Sequence, residues 1–184
     1  CAPKPMGLIT PEDKGTIVPV NGPLPDGVLG EVRCHQQIYK RRNDVNGIAR
    51  TFLRNTMTLS TFERTPEVRI GFGSYFSPSP PLWNDPLLLR DDNMASDLAE
   101  TLGGSRAIVM RGNGCILTGG TVEEAIVMAF YLEEAAITEL AVMATGQEKK
   151  SQIYTSEQAK ARAVTSGDIF ERMWDYLTEG DPEK

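Results

Sequence analysis

The chain has a single histidine, His35, among its 184 residues. A metal site built on two or three histidines is therefore excluded within it. A Ser-His-Asp triad would have to use His35, and no Gly-x-Ser-x-Gly elbow accompanies it. Cysteine is scarce too: Cys1, Cys34 and Cys115, with no Cys-x-x-Cys pair. That excludes zinc ribbons and thioredoxin-like redox chemistry, and an odd number at unrelated spacings points to a reducing compartment. No apolar run approaches the roughly 20 residues that span a bilayer, and no charged-then-apolar leader opens the sequence. Basic charge is in the minority. The formal net charge is −6, which disfavours nucleic acid as a partner. The one basic cluster, Lys40-Arg41-Arg42, reads as the cationic last turn of a helix. These absences give the expectation of a cytoplasmic protein that meets neither nucleic acid nor membrane.

What is present is an ordinary globular composition, 40% hydrophobic and 24% charged, with length enough for one domain over residues 1–184. Thr16 to Val20 followed by Asn21-Gly22 predicts a strand and a turn. Glu31 to Arg42 predicts a helix with Val32, His35, Ile38 and Tyr39 on one face. Gly47 to Leu53 and Val68 to Phe72 predict strands. The prolines between Ser77 and Pro86 exclude regular structure there. A helix from Asn93 to Leu102 stops at Gly103-Gly104. Two compact strands, Ala107 to Met110 and Cys115 to Thr118, are joined by Arg111-Gly112-Asn113-Gly114. Thr121-Val122-Glu123-Glu124 is a capping box. It opens a long helix with Val122, Ile126, Ala129, Leu132, Ala136, Leu140 and Met143 at helical spacing. Two more helices follow, one from Ser156 to Val164. The other is capped by Asp168 or Ser166 and carries an apolar face of Ile169, Phe170, Met173, Trp174 and Leu177. Strands alternating with helices, hairpins included, predict a mixed α/β fold.

Three segments resemble the class II aldolase/adducin family. The first is Leu29-Gly30-Glu31-Val32-Arg33-Cys34-His35-Gln36-Gln37-Ile38-Tyr39, continued by Asn43-Asp44-Val45-Asn46-Gly47-Ile48-Ala49-Arg50-Thr51-Phe52. The second is Arg106-Ala107-Ile108-Val109-Met110-Arg111-Gly112-Asn113-Gly114. The third runs from Gly120-Thr121-Val122-Glu123-Glu124-Ala125 to Tyr131-Leu132-Glu133-Glu134-Ala135-Ala136. Their order and spacing cover roughly residues 8 to 146. The loop Pro80-Pro81-Leu82-Trp83-Asn84-Asp85-Pro86 is similar to the family's aromatic-acid decarboxylase branch. The resemblance implies an α/β/α sandwich around a central mixed, largely antiparallel sheet. It also implies a homotetramer with its site between subunits, and a divalent metal held by a His-x-His pair and an Arg-Gly-His-Gly histidine. In this sequence the pair falls on Arg50 and Phe52 and the third histidine on Asn113. Only Glu31 keeps the acidic position. No metal and no other cofactor is therefore expected. The family's N-terminal helix and strand are not found ahead of Leu8-Ile9-Thr10-Pro11. That segment is expected to be truncated, cleaved off or supplied by a second chain. Cys1 in place of methionine is read as methionine removal or processing, with an N-terminal nucleophile or a lipidated cysteine as rarer readings.

The candidate catalytic residues are Glu31, Arg50, Asn113 and His35. The candidate substrate-binding residues are Arg111, Tyr75 and Trp83. Each also has a plain structural reading. Asn113-Gly114 is a favoured hairpin turn, Glu31 a first-turn carboxylate suited to the helix dipole, and His35 a core histidine. Arg50 is a buried cation that needs an anionic partner. Arg111 is read as structural, and Tyr75 and Trp83 as packing. The leading expectation is a metal-independent lyase-type enzyme acting on a small, anionic substrate by decarboxylation, retro-aldol cleavage or related enolate chemistry. The alternatives are a non-catalytic adducin-like scaffold and a subunit of a split hetero-oligomeric enzyme.

Overall fold

The computed structural model describes residues 8–182, so the readings of Cys1 lie outside the described residues. Four strands set the architecture: β1 (Gly47–Thr51), β2 (Leu82–Trp83), β3 (Ala107–Met110) and β4 (Cys115–Gly119). They form one sheet in the order β1-β4-β3-β2. β4 runs antiparallel to β1 and β3, and β2 runs parallel to β3. Side chains along a strand point alternately to opposite faces. Ala107, Val109, Cys115 and Leu117 therefore enter one core with Ala49, while Ile108, Met110 and Ile116 enter the other. Helix α4 (Val122–Ala144) closes the first core. Helices α1 (Val32–Arg41) and α3 (Asp92–Leu102) close the second. Because both faces are covered, β3 and β4 read as unbroken apolar runs. The result is an α/β/α sandwich on a mixed, largely antiparallel sheet.

Helix α4 is buried around much of its girth. Ala125, Val127, Met128, Ala129, Tyr131, Leu132, Ala135 and Ala136 are all covered. The single stripe read from the sequence includes only Ala129, Leu132 and Ala136 of these, and Val122 is exposed. The cause is a clasp. The sheet covers one side of α4, and α2 (Arg54–Ser60) and α6 (Ile169–Leu177) cover others. Phe170, Met173, Trp174 and Leu177 pack against the α4 core. The apolar face of α6 thus packs within the chain. Asp168 stands at its N-cap in a left-handed conformation, without a side-chain cap. Thr121 does cap α4, its Oγ1 accepting the Glu124 N–H at 3.1 Å. Glu124 does not reciprocate: its carboxylate takes the Gly120 N–H at 2.7 Å and pairs with Arg106. The reciprocal capping box belongs instead to Thr155 and Gln158, at the start of α5 (Ser156–Arg162).

Two expected strands do not form. The stretch 16–20 has no ladder partner among the described residues; the Gln36 amide holds it by donating to the Pro19 and Gly22 carbonyls at 2.6 and 3.3 Å. The stretch 68–72 gives way to a 3-10 segment, Gly71–Phe76. There Arg69 is drawn out of any strand path to Glu139, its Nε 2.6 Å from the carboxylate. In the opposite sense, the proline loop holds a short strand, because Leu82 and Trp83 at its centre keep the ladder with Val109 and Met110.

Glu139 is wholly buried on α4 and meets Arg64 at 2.9 Å as well as Arg69. Removing one member of a buried ion cluster leaves the others unpaired and costs about 3–5 kcal/mol. Glu139→Ala is expected to lose stability of about that size in urea unfolding. A loss below about 1 kcal/mol, the range of an exposed pair, would show that the cluster is solvated.

Candidate active site at the C-terminal edge of the sheet

β1, β2 and β3 all end at the same edge of the sheet, because β4 runs opposite to β1 and β3 while β2 follows β3. Arg50 lies opposite Ile116 and so emerges on the face that α1 and α3 cover. Its side chain is 13% exposed. The guanidinium Nη2 donates to Asn113 Oδ1 at 3.2 Å and Nη1 to the Thr51 carbonyl at 3.2 Å. Nε is 3.6 Å from Glu31 Oε2, close enough for an ion pair and too far for a hydrogen bond. The guanidinium carbon sits 4.7 Å over the Phe52 ring. Glu31, Arg50 and Asn113 are thus brought together.

Backbone chemistry makes that meeting possible. In the turn after β3, Asn113 N–H donates to the Met110 carbonyl at 2.9 Å, and Met110 N–H to that of Gly114 at 2.8 Å. Gly112 and Gly114 both have positive φ, +65° and +81°, which glycine adopts without strain. At Gly114 a Cβ would stand 2.1 Å from the Thr51 carbonyl oxygen and 2.6 Å from Arg50 Nη1. Only glycine leaves room for the guanidinium there. Ser60, fully buried in α2, accepts the Gly112 N–H at 2.9 Å and donates to the Met57 carbonyl at 2.7 Å. The sequence reading missed Ser60, since nothing local marks a serine that braces a turn 52 residues away.

The cluster has unspent hydrogen-bonding capacity. Arg50 Nε, Asn113 Nδ2, Thr51 Oγ1 and Trp83 Nε1 are buried with no hydrogen-bond partner. Such groups are uncommon in folded proteins. Trp83 shares the α1/α3 side of the sheet with Arg50, but β4 and β3 lie between them. Arg111 ties the proline loop to the hairpin, donating from its backbone to the Trp83 carbonyl at 2.9 Å and from Nε to that of Asn84 at 3.0 Å. Tyr75 lies in the opposite core, stacked 5.3 Å from Tyr131, its hydroxyl donating to the Val164 carbonyl at 2.7 Å. Neither Arg111 nor Tyr75 is brought to the cluster. Cys34 and Cys115 flank it. Burial, reinforced at Cys34 by Glu31, pushes both thiols up to about 12, so neither is a thiolate nucleophile near neutral pH.

These residues do not fit a divalent metal. The positions hold a guanidinium, a phenyl ring and an amide beside one carboxylate, and a guanidinium cannot ligate. No group of three histidine, cysteine or acidic side chains suited to a metal occurs among the described residues.

The model of the family described as Class II Aldolase and Adducin N-terminal domain matches residues 5–140. The chain belongs to this family. Solved structures agree in fold. An aldolase II superfamily protein from Pseudomonas syringae is 22% identical with a TM-score of 0.67, over 80% of this chain and 61% of that one. An L-fuculose-1-phosphate aldolase from Thermus thermophilus is 26% identical with a TM-score of 0.63, over 76% and 74%. YgbL from Escherichia coli, a putative aldolase/epimerase/decarboxylase, is 17% identical with a TM-score of 0.64, over 80% and 72%. The chain spans less than two thirds of the length of the Pseudomonas syringae protein. No curated protein sequence matches it. Helices α5 and α6 lie beyond the residues that the family matches, and no helix among the described residues is long and apolar enough to cross a membrane.

His35 follows Glu31 by one helical turn. Burial, aided by the Arg50 charge, lowers its imidazole from 6.5 to about 4. It is therefore neutral at pH 7 and does not act as a cation in the cluster. The unfolded chain takes up a proton near pH 6.5 that the folded chain refuses until about pH 4. Stability is thus expected to fall as pH drops through that window. Because the chain has one histidine, its NMR titration is unambiguous. A midpoint above pH 6 would refute the burial.

Proposed function

We propose that this chain is a metal-independent, lyase-type member of its family. It would break or form a carbon–carbon bond beside a carbonyl, by decarboxylation or retro-aldol cleavage of a small anionic substrate. The observation that carries the reading is the pair of buried, unpartnered donors, Arg50 Nε–H and Asn113 Nδ2–H, beside the Glu31 carboxylate. When the bond to the carbon next to the carbonyl breaks, releasing CO2 or an aldehyde, its electron pair stays on that carbon and spreads onto the carbonyl oxygen as an enolate. Donors already fixed in a water-poor place stabilise that oxygen without reorganising. The enolate carbon then needs a proton, and Glu31, a third exposed and beside Arg50, is the group placed to shuttle it. Arg50 supplies the positive charge that the resemblance would otherwise place on a metal, and holds it in a planar fork.

One observation favours the adducin-like, non-catalytic alternative: the Phe52 ring covers the guanidinium. The two readings part on activity. A screen of 4-hydroxy-2-oxo, 3-oxo and aromatic carboxylates is expected to yield a substrate. On it, Glu31→Gln should cost roughly a hundredfold in turnover and Arg50→Lys should also be harmful, since a point charge does not replace the fork. Wild-type rates in both variants would refute the site. Elemental analysis of the active protein is expected to find transition metal well below one per chain, and activity should survive chelation. A tightly held stoichiometric metal that activity requires would overturn the role given to Arg50.

A further inference from the structure

A recess of about 310 Å³ opens beside the cluster, lined by Leu29, Gly30, Glu31, Leu88, Leu89 and Arg90. Glu31 belongs to both: one side of its carboxylate faces Arg50 and it also forms part of the recess wall. The walls are built, not incidental. Leu89 is anchored in the α1/α3 core, and its carbonyl lies 3.7 Å from where a Gly30 Cβ would stand. Arg33 of α1 pairs with Asp92 of α3 at 2.9 Å, joining the segments that carry Gly30 and Arg90. Leu29 and Leu88 are left 67% and 50% exposed at the rim. Arg90 has no ion pair among the described residues, although the chain carries a net charge of −6.

We infer that this recess binds the apolar body of a small carboxylate, with Leu29 and Leu88 covering the hydrocarbon and Arg90 anchoring the anionic end. The inference rests on the active-site reading above and adds the substrate class: an apolar acid, not a polyhydroxylated one. Three features argue for it. Leu29 and Leu88 offer exposed aliphatic surface on which hydroxyls would lose water without gaining partners, while the charged groups of the lining, Glu31 and Arg90, stand apart from it in role. The charge of Glu31 is offset by Arg50, so it does not repel an incoming anion at full strength. A free guanidinium matches a carboxylate fork to fork. A bound body would also cover two leucines that otherwise face water.

The probes are acetate, butanoate and hexanoate, titrated calorimetrically into the full chain at pH 7. Affinity is expected to rise roughly threefold to fourfold per added methylene. Arg90→Gln should weaken hexanoate at least tenfold, and Leu88→Asp should remove the chain-length dependence while circular dichroism stays unchanged. Equal affinity for the three acids, or hexanoate binding untouched in Arg90→Gln, overturns the inference. So does a rim that serves a second copy of the chain, seen as Leu88→Asp lowering the mass in sedimentation without changing hexanoate affinity. The two readings fail separately. Arg90-dependent hexanoate binding with no turnover of any substrate sinks the active-site reading alone. Turnover that needs Glu31 and Arg50 but ignores Arg90 and chain length sinks this one alone.

Discussion

Two carboxylates on α4 hold down the part of the chain that the sheet does not. Glu133 accepts from the backbone and side chain of both Asn55 and Thr56, at 2.8–3.0 Å. It thereby satisfies the open N–H groups at the start of α2. Glu139, two turns on, gathers Arg64 and Arg69. Glu139 is wholly buried, where water could not stand in for the arginines, and an unpaired buried charge is very costly. Helix α4 can therefore be buried on most sides only because its acids are spent on neighbouring segments. The placement of α2 in turn sets Ser60 beneath the hairpin, and the hairpin sets Asn113 against Arg50. The candidate site thus depends on a chain of contacts that begins on the opposite face of the sheet.

Arg50 is the point where that frame meets the candidate site. A guanidinium stays protonated in proteins, so its charge cannot be shed when it is covered. Here it is met by one carboxylate, one amide oxygen, one backbone carbonyl and one aromatic face. That is close to full satisfaction, except at Nε. The missing Cβ of Gly114 is as much a part of the seat as any side chain, because a methyl group there would overlap Nη1.

Much of this was legible in the sequence because it is locally encoded. Helices α1 and α3 show their period or their stop signals, and α4 its threonine cap. β3 and β4 are apolar runs around a glycine turn. The positions of Glu31, Arg50 and Asn113 came from the resemblance, by matching them to the family's motif. What was not legible is what distance supplies. Helix α2 has leucine at its N-cap and no capping side chain of its own; its cap arrives from Glu133, 78 residues away. β2 is two residues long and exists only by pairing with β3. The stretch 16–20 has a strand's composition, but its Pro19 carbonyl is taken by Gln36, and proline has no N–H to give a ladder. Arg90 has no motif at all. Only the folded loop puts it at a recess with Glu31.

Exchanging ligating side chains for a guanidinium changes the kind of help a site can give. A divalent ion brings two charges and binds oxygen directly. In the proposed reading Arg50 would bring one charge, already shared with Glu31, and would act through hydrogen bonds whose directions are fixed. The stabilisation of an enolate oxygen is then smaller per group, about 2–4 kcal/mol for one well-placed donor. It also depends more on water being absent, since hydrogen bonds to charge strengthen as the local dielectric falls. The leucine surface next to Glu31 would therefore bear on the proposed chemistry as well as on selectivity. A hydrocarbon body seated in that recess would drive water from the Glu31 carboxylate, which a small hydrated substrate would not. In the proposed reading the guanidinium at position 50 and the exposed leucines would serve the same chemistry. A weaker cation is useful only where the substrate itself completes the dry wall around it.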